Sequence, residues 1–357
     1  MIVNKKILSY LLLSILFILL LGCKDNTLLK TTKKPNNQIQ DSSEDDYMSI
    51  LTDKKFKRGF VVRGLGIPIY SDHKEEETYG PAYETGYYFQ YGKDMIDKPV
   101  WEICQWSTRY AFHDESITTF TENGTEYTYQ NQSKFFRVNT STGEFTLGLD
   151  AEECYVYGDR QPYMEWPHLL ISRDIKRSYA TKVSDKEEIR ITLNASLDRY
   201  EDKMTVEPQM YVHAAQCMFY LYVSNYDETT DNFTDMLWLG MTIFDNRWEY
   251  TEEFAHQDSG SKESETNKFI YNVANSEYLS KNNHFYNKGK IKVGSSVTID
   301  FDILPYVRIA LEKAQEAGCM LDSNYDNLYI SGMYIGFELP GTYNLEMTFN
   351  NMDIKVK

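Results

Sequence analysis

Three carboxylates stand at positions from which they could do chemistry. Asp245 and Glu338 each end a strongly apolar stretch, Met236 to Phe244 and Leu328 to Phe337, and Glu165 stands beside Trp166. Hydrolysis of a glycosidic bond uses two carboxyl groups about 5 to 9.5 Å apart, one of them kept protonated by an apolar setting. Each carboxylate also has a purely structural reading. Asp245 with Arg247 would close a strand end as an ion pair, and Glu338 would hydrogen-bond the turn at Pro340-Gly341.

Binding asks for exposed aromatic rings beside polar groups. Aromatic residues make up 15% of the chain, with 29 tyrosines, and Tyr and Trp offer a flat apolar face with a polar edge that suits a sugar ring. Trp166, Trp248 and Trp106, with Arg247 as a forked donor, are the candidate ligand contacts, because loops and strand ends carry most binding residues. Trp101 is a further stacking candidate, and Trp238, inside an apolar run, reads as core. Most of the tyrosines read as ordinary half-buried strand residues.

Other chemistries find less support. His168 and His213 could act as a base or a metal ligand, but no second histidine stands at metal-ligand spacing, so each reads as a satisfied core histidine. No metal motif occurs. Calcium would have to be held by loop acids such as Asp231, Asp235, Asp322 and Asp326, which lack EF-hand spacing. The formal net charge of -16 argues against a nucleic-acid partner. Cys104, Cys154, Cys217 and Cys319 are widely spaced. They allow two disulfides in three possible pairings, with a buried free thiol an equal reading for Cys217.

The elements that must position these residues are strands. Apolar residues alternate with polar ones at Phe145, Leu147 and Leu149, from Ile189 to Leu197, from Val297 to Ile303 and from Tyr343 to Phe349, the pattern of strands with one wet face. Cys217 to Val223, Met236 to Phe244 and Leu328 to Phe337 are apolar nearly throughout, as for strands covered on both sides. Turns fall at 139–143 and at Pro340-Gly341. One helix is expected from about Tyr306 to Ala317, between Pro305 and Gly318. Strands without interleaved helices imply an all-β, antiparallel β-sandwich with at most one or two short helices.

The ordered motifs Trp101-Glu102-Ile103-Cys104-Gln105-Trp106, Glu165-Trp166-Pro167-His168-Leu169-Leu170, Phe244-Asp245-Asn246-Arg247 and Ile335 to Gly341 resemble secreted jelly-roll proteins of the concanavalin-like kind. Those occur among carbohydrate-binding modules and polysaccharide-active enzymes. The resemblance spans roughly Trp101 to Lys357. It implies a jelly-roll fold and a polysaccharide or oligosaccharide partner. The paired-acid strand of the laminarinase-like members is missing, so no set of catalytic residues follows from it.

A second resemblance concerns the start of the chain. Lys5 and Lys6 precede an apolar run over residues 7–21 that ends in Leu20-Leu21-Gly22-Cys23, too short for a spanning helix. It resembles the lipobox of bacterial lipoproteins, which implies cleavage before Cys23 and lipidation of its thiol. Two or three acyl chains hold a domain firmly on a bilayer. Lys24-Asp25 resembles a signal for export to the outer face of the outer membrane. The glycosylation sequons at Asn123, Asn131 and Asn194 mean little in a bacterium.

The expected organisation is a signal peptide over residues 1–22, a lipidated polar tether over 23–56 and a single β-sandwich over 57–357. The expected function is a membrane-anchored, surface-exposed lipoprotein that recognises carbohydrate and needs no cofactor. A glycoside hydrolase or polysaccharide lyase using Asp245, Glu338 or Glu165 is the alternative. An adhesive lipoprotein with a protein partner is the third reading, and it predicts a flat exposed patch.

Overall fold

Ile189, Ile191, Leu193, Ala195 and Leu197 are each at most 1% exposed, while the polar residues between them stay half exposed. Period-two patterning of this kind builds two sheets. The computed structural model describes residues 46–64, 83–91, 97–155, 157–162, 164–258, 266–275 and 289–357. Cys23, the signal and most of the tether lie outside them.

The strands are β1 Met48–Ser49, β2 Phe60–Gly64, β3 Tyr83–Phe89, β4 Trp101–Gln105, β5 Thr119–Asn123, β6 Glu126–Gln130, β7 Lys134–Asn139, β8 Glu144–Asp150 and β9 His168–Asp174. They continue with β10 Thr181–Lys182, β11 Ile189–Asp202, β12 Gln216–Asp227, β13 Asn232–Asp245, β14 Phe254–Gln257, β15 Phe269–Val273, β16 Ser295–Asp302, β17 Leu328–Glu338 and β18 Tyr343–Val356. An eight-stranded sheet runs β16-β11-β18-β8-β7-β6-β5, with β1 also paired to β18; a ten-stranded sheet runs β14-β15-β13-β12-β17-β9-β4-β2-β3, with β10 on β17.

The two sheets bury one core between them. Phe219, Leu221, Leu239, Met241, Ile335 and Phe337 from one sheet join Ile191, Leu193, Phe145, Leu147, Leu345 and Met347 from the other in one buried cluster. Burial of each such side chain contributes about 1.5 to 3 kcal/mol. The fold is the expected β-sandwich of jelly-roll type. Its pairing is not wholly antiparallel: β13 with β15 and β2 with β4 run parallel. In both places an edge strand intervenes in the chain, β14 beside β15 and β3 beside β2, so the chain returns in the same direction.

The helix, α1 Leu304–Glu316, starts two residues before its expected position because Pro305 fits the first turn, where its missing N–H is not needed. Gly318 follows at φ +84, the left-handed conformation that commonly ends a helix. Among the described residues no helix is long and apolar enough to cross a membrane.

One expectation needs correction. Residues 48–56 are not tether: Met48 and Ser49 pair with Val356 and Lys355, and Leu51 and Phe56 are 3% and 0% exposed. Phe56 stacks on Phe60 at 5.2 Å and meets Trp101 and Phe145 edge-on, so the packed body begins before residue 57. The polar composition that suggested a tether hid these two core residues. The state of the cysteines, left open by their spacing, is that Cys104, Cys154, Cys217 and Cys319 are all free and buried. They sit on β4, after β8, on β12 and after α1, and burial pushes the thiols of Cys104 and Cys217 well above the ordinary range.

Candidate functional site

Residues directly opposite one another on paired strands share a sheet face. Glu338 on β17 pairs with His168 on β9 and with Gln216 on β12, and Gln216 pairs with Asp245 on β13. Their chain neighbours Leu169, Phe337, Cys217 and Phe244 lie in the core. His168, Glu338, Gln216 and Asp245 therefore form one polar row on the second face of the ten-stranded sheet.

Further rows follow at two-residue steps along β9, β12 and β17, with a bulge that makes the first step on β13 three residues. The next is Leu170, Gly336, Met218 and Thr242; then Ser172, Tyr334, Tyr220 and Gly240; then Asp174, Gly332, Tyr222 and Trp238. The expectation that these strands are covered on both sides holds along most of their length, since Leu170, Met218, Tyr220 and Thr242 on the second face are buried. Their second face carries tyrosine, methionine and glycine, and Tyr222, Tyr334, Trp238, Gln216, His168 and Glu338 remain partly exposed.

The tyrosines are laid across glycines. A Cβ on Gly332 would stand 2.4 Å from the Tyr222 ring, and one on Gly240 would stand 2.5 Å from the Tyr220 ring. Only glycine leaves room for a ring to lie over the neighbouring strand. Tyr334 lies between the other two, with centroids 5.2 Å from Tyr220 and 6.1 Å from Tyr222. Ser172 and Tyr222 are linked through their hydroxyls at 3.1 Å. The edge beyond is closed by Arg63, whose guanidinium donates twice to Glu102 at 2.6 Å.

Glu338 is the most elaborated carboxylate. Trp166 Nε1 donates to its Oε2 at 3.3 Å, and His168 Nε2 stands 3.6 Å from the same oxygen. His168 Nδ1 is 2.8 Å from the Trp166 carbonyl oxygen. A carbonyl only accepts, so Nδ1 carries a hydrogen and Nε2 is the nitrogen that faces Glu338. Burial pushes the Glu338 carboxyl up, but the His168 charge and the hydrogen bonds from His168 and Trp166 together hold it below its ordinary value. Trp166 stacks on His168 at 5.7 Å, Trp106 leans on the same ring at 5.7 Å, and the Arg160 guanidinium lies 4.8 Å over Trp166. Trp106 Nε1 is buried with no hydrogen-bond partner among the described residues.

Asp245 is differently placed. Arg247 donates to it through its backbone N–H and Nε, both at 2.9 Å, and through NH2 at 2.7 Å, and Gln216 Nε2 adds a bond at 2.8 Å. With its side chain 2% exposed, both oxygens are occupied by protein donors. It also stands two strands from Glu338, about 10 Å between Cα positions. Glu165 adjoins Trp166 and its charge acts on Arg160. Trp248 lies on the turn after β13, its N–H donating to the Asp245 carbonyl, at the far end of the row from Glu338.

The sequence candidates thus divide into two groups. Glu338, Trp166 and Trp106 converge around His168, whereas Asp245, Arg247 and Trp248 hold the other end of the row. His168, Gln216, Tyr220, Tyr222 and Tyr334 were not among the sequence candidates. His213 does fit the satisfied-core reading: it is 2% exposed, accepts from the Gln209 N–H at 3.0 Å and donates to the Arg160 carbonyl at 2.8 Å. The loop acids considered for calcium are engaged elsewhere in part: Asp231 accepts from the Tyr226 hydroxyl, and Asp235 pairs with Lys268 at 2.8 Å. Among the described residues no group of three His, Cys, Asp or Glu side chains is arranged to hold a metal.

No protein-family model matches the chain, and no curated protein matches its sequence. Solved structures of similar architecture include a family 12 xyloglucanase from Bacillus licheniformis, 9% identical, covering 67% of this chain and 97% of that one at a TM-score of 0.36. A family 11 xylanase from Neocallimastix patriciarum is 9% identical, covering 68% and 97% at a TM-score of 0.35. An endoglucanase from Rhodothermus marinus is 11% identical, covering 66% and 92% at 0.34. A likeness of this size transfers no residue's role to this chain.

Proposed function

We propose that this protein is a surface lipoprotein, anchored through Cys23, that takes a polysaccharide chain on the second face of its ten-stranded sheet. One observation carries the reading: Tyr222 and Tyr220, each seated over a glycine, and Tyr334 between them run from Trp238 toward the polar row of Gln216, Glu338 and His168, with the Tyr222 and Tyr334 rings partly exposed. Flat apolar faces beside fixed donors and acceptors are what a sugar ring needs. The anchor is supported by the apolar run ending in Gly22-Cys23. Affinity electrophoresis of the full chain through gels containing neutral polysaccharides tests the binding. Retardation on at least one polymer, reduced in Tyr222→Ala and Trp166→Ala, is the expected result, and free migration on all of them rejects the reading. Mass spectrometry of the amino-terminal peptide tests the anchor, and an unmodified Cys23 in an uncleaved chain rejects it.

A second reading, cleavage of the bound chain, is favoured by the placement of His168 Nε2 3.6 Å from Glu338 Oε2. That pair stands on the open side of the row and can exchange a proton with a ligand, whereas Asp245 is sequestered by Arg247. Release of new chain ends by the parent but not by Glu338→Gln supports a hydrolase or lyase. Equal release by both removes Glu338 from the chemistry.

A further inference from the structure

Tyr157 and Tyr211 are 73% and 91% exposed, and Val206 and Met210 beside them are 53% and 45% exposed. They lie on two connections, residues 155–167 leading to β9 and residues 203–215 leading from β11 to β12. Both connections deliver their strands to the row that holds Glu338. Such rings in water are unusual on loops that are otherwise firmly held.

The holding is specific. The Asp159 carboxylate accepts from the Thr205 N–H at 2.9 Å, the Thr205 hydroxyl at 2.6 Å, the Val206 N–H at 3.1 Å and the Thr342 hydroxyl at 2.7 Å. Arg160 donates to the Val212 carbonyl at 2.7 Å, and its own carbonyl accepts from His213. Arg247 donates to the Met210 carbonyl at 2.8 Å. Of the residues that hold the backbone around the exposed tyrosines, Arg160 also covers Trp166 and Arg247 also clamps Asp245. Each ring is thus carried on backbone tied to one end of the polar row.

We propose that Tyr157 and Tyr211 are outer stacking contacts for the same neutral polysaccharide chain, engaging units beyond those on the sheet face. The inference rests on the carbohydrate reading above. A pinned aromatic ring contributes contact area with little loss of conformational freedom. The net charge of -16 and the internal use of Arg160 and Arg247 disfavour an anionic polymer here. Continuity with the sheet face favours the glycan over a separate protein partner.

The test uses the full chain, a panel of neutral soluble polymers (a β-glucan, a xylan, a mannan and an α-glucan) and trisaccharides of whichever polymer binds. Tyr157→Ala with Tyr211→Ala is expected to weaken retention on the polymer roughly tenfold, because each ring contact is worth several-fold, while trisaccharide binding stays within about twofold. Tyr157→Phe with Tyr211→Phe is expected to keep polymer binding. Undiminished polymer binding by the alanine variant overturns the inference and leaves the sheet-face reading standing, as does an equal loss on polymer and trisaccharide. A parent that binds no polymer overturns the carbohydrate reading itself.

Discussion

Lys134 gives the sharpest quantitative test of how this sandwich is held together. The side chain opens β7 and is 3% exposed. Its ammonium donates to the Thr108 hydroxyl at 2.9 Å and to the Tyr110 carbonyl, and it stands 5.3 Å over the Phe112 ring. Among the described residues no carboxylate lies within ion-pair distance of it. Burial lowers its pKa from the ordinary 10.5 to about 7. Between those values the unfolded chain binds a proton that the folded chain has released, so stability rises with pH from about 7 to about 10.5. A separation of about 3.5 pH units, at about 1.4 kcal/mol per unit, bounds the effect at about 5 kcal/mol. Lys134→Met keeps the volume and removes the charge, while the Thr108 and Tyr110 oxygens lose a donor at about 1 to 3 kcal/mol each. The variant should be close to the parent in stability near pH 6.5 and should fall progressively below it as pH rises to 10. Urea unfolding followed by tryptophan fluorescence at half-unit pH steps gives the difference curve, in which other titrating groups cancel. A difference that stays flat across that window refutes the reasoning.

Three further outcomes follow from packing and charge. Phe56→Ala should cost about 3 to 5 kcal/mol, and a fragment starting at Lys57 should lack cooperative unfolding, which circular dichroism melts will show. Gly332→Ala forces a Cβ to within 2.4 Å of the Tyr222 ring and 2.7 Å of the Arg173 carbonyl oxygen; a loss of about 1 to 3 kcal/mol is expected, together with weaker polysaccharide retention, and unchanged retention would argue against the tyrosine floor. Because the Glu338 carboxyl is held below its ordinary value, its stabilising contribution is present above the unfolded pKa and is lost as pH falls through the folded one. The stability gap between the parent and Glu338→Gln should therefore narrow below about pH 4.5, and a gap independent of pH down to 2.5 would contradict the arrangement with His168.

Much of the scaffold could be read from periodicity. Ile189 to Leu197 and Tyr343 to Phe349 alternate because one face meets the core, and they became β11 and β18. Pro305 and Gly318 bracketed α1 for the same local reasons that act in the structure. The site was harder to read, since an apolar strand with core on both faces and one with core behind and aromatic rings in front look alike in sequence. Met218, Tyr220 and Tyr222 stand at every second position of β12, and that recurrence was the available signal. Its meaning depends on Gly240 and Gly332, which come from other strands and are brought alongside only by register. His168 was misread for a related reason, because its apolar sequence neighbours point the other way. Trp238, assigned to the core, turned out to lie opposite Tyr222 on the second face.

The pairing of Met48 with Val356 has a consequence for how the molecule is made. The strap that carries Leu51 and Phe56 is synthesised early, yet its partner strand arrives about 300 residues later. Until then Met48 and Ser49 have no strand to pair with. Closure of so distant a contact is slow, and a chain emerging amino-terminus first must keep that strap in waiting. Assembly of the eight-stranded sheet is therefore a late event, governed by the arrival of β18 rather than by the segment that leads.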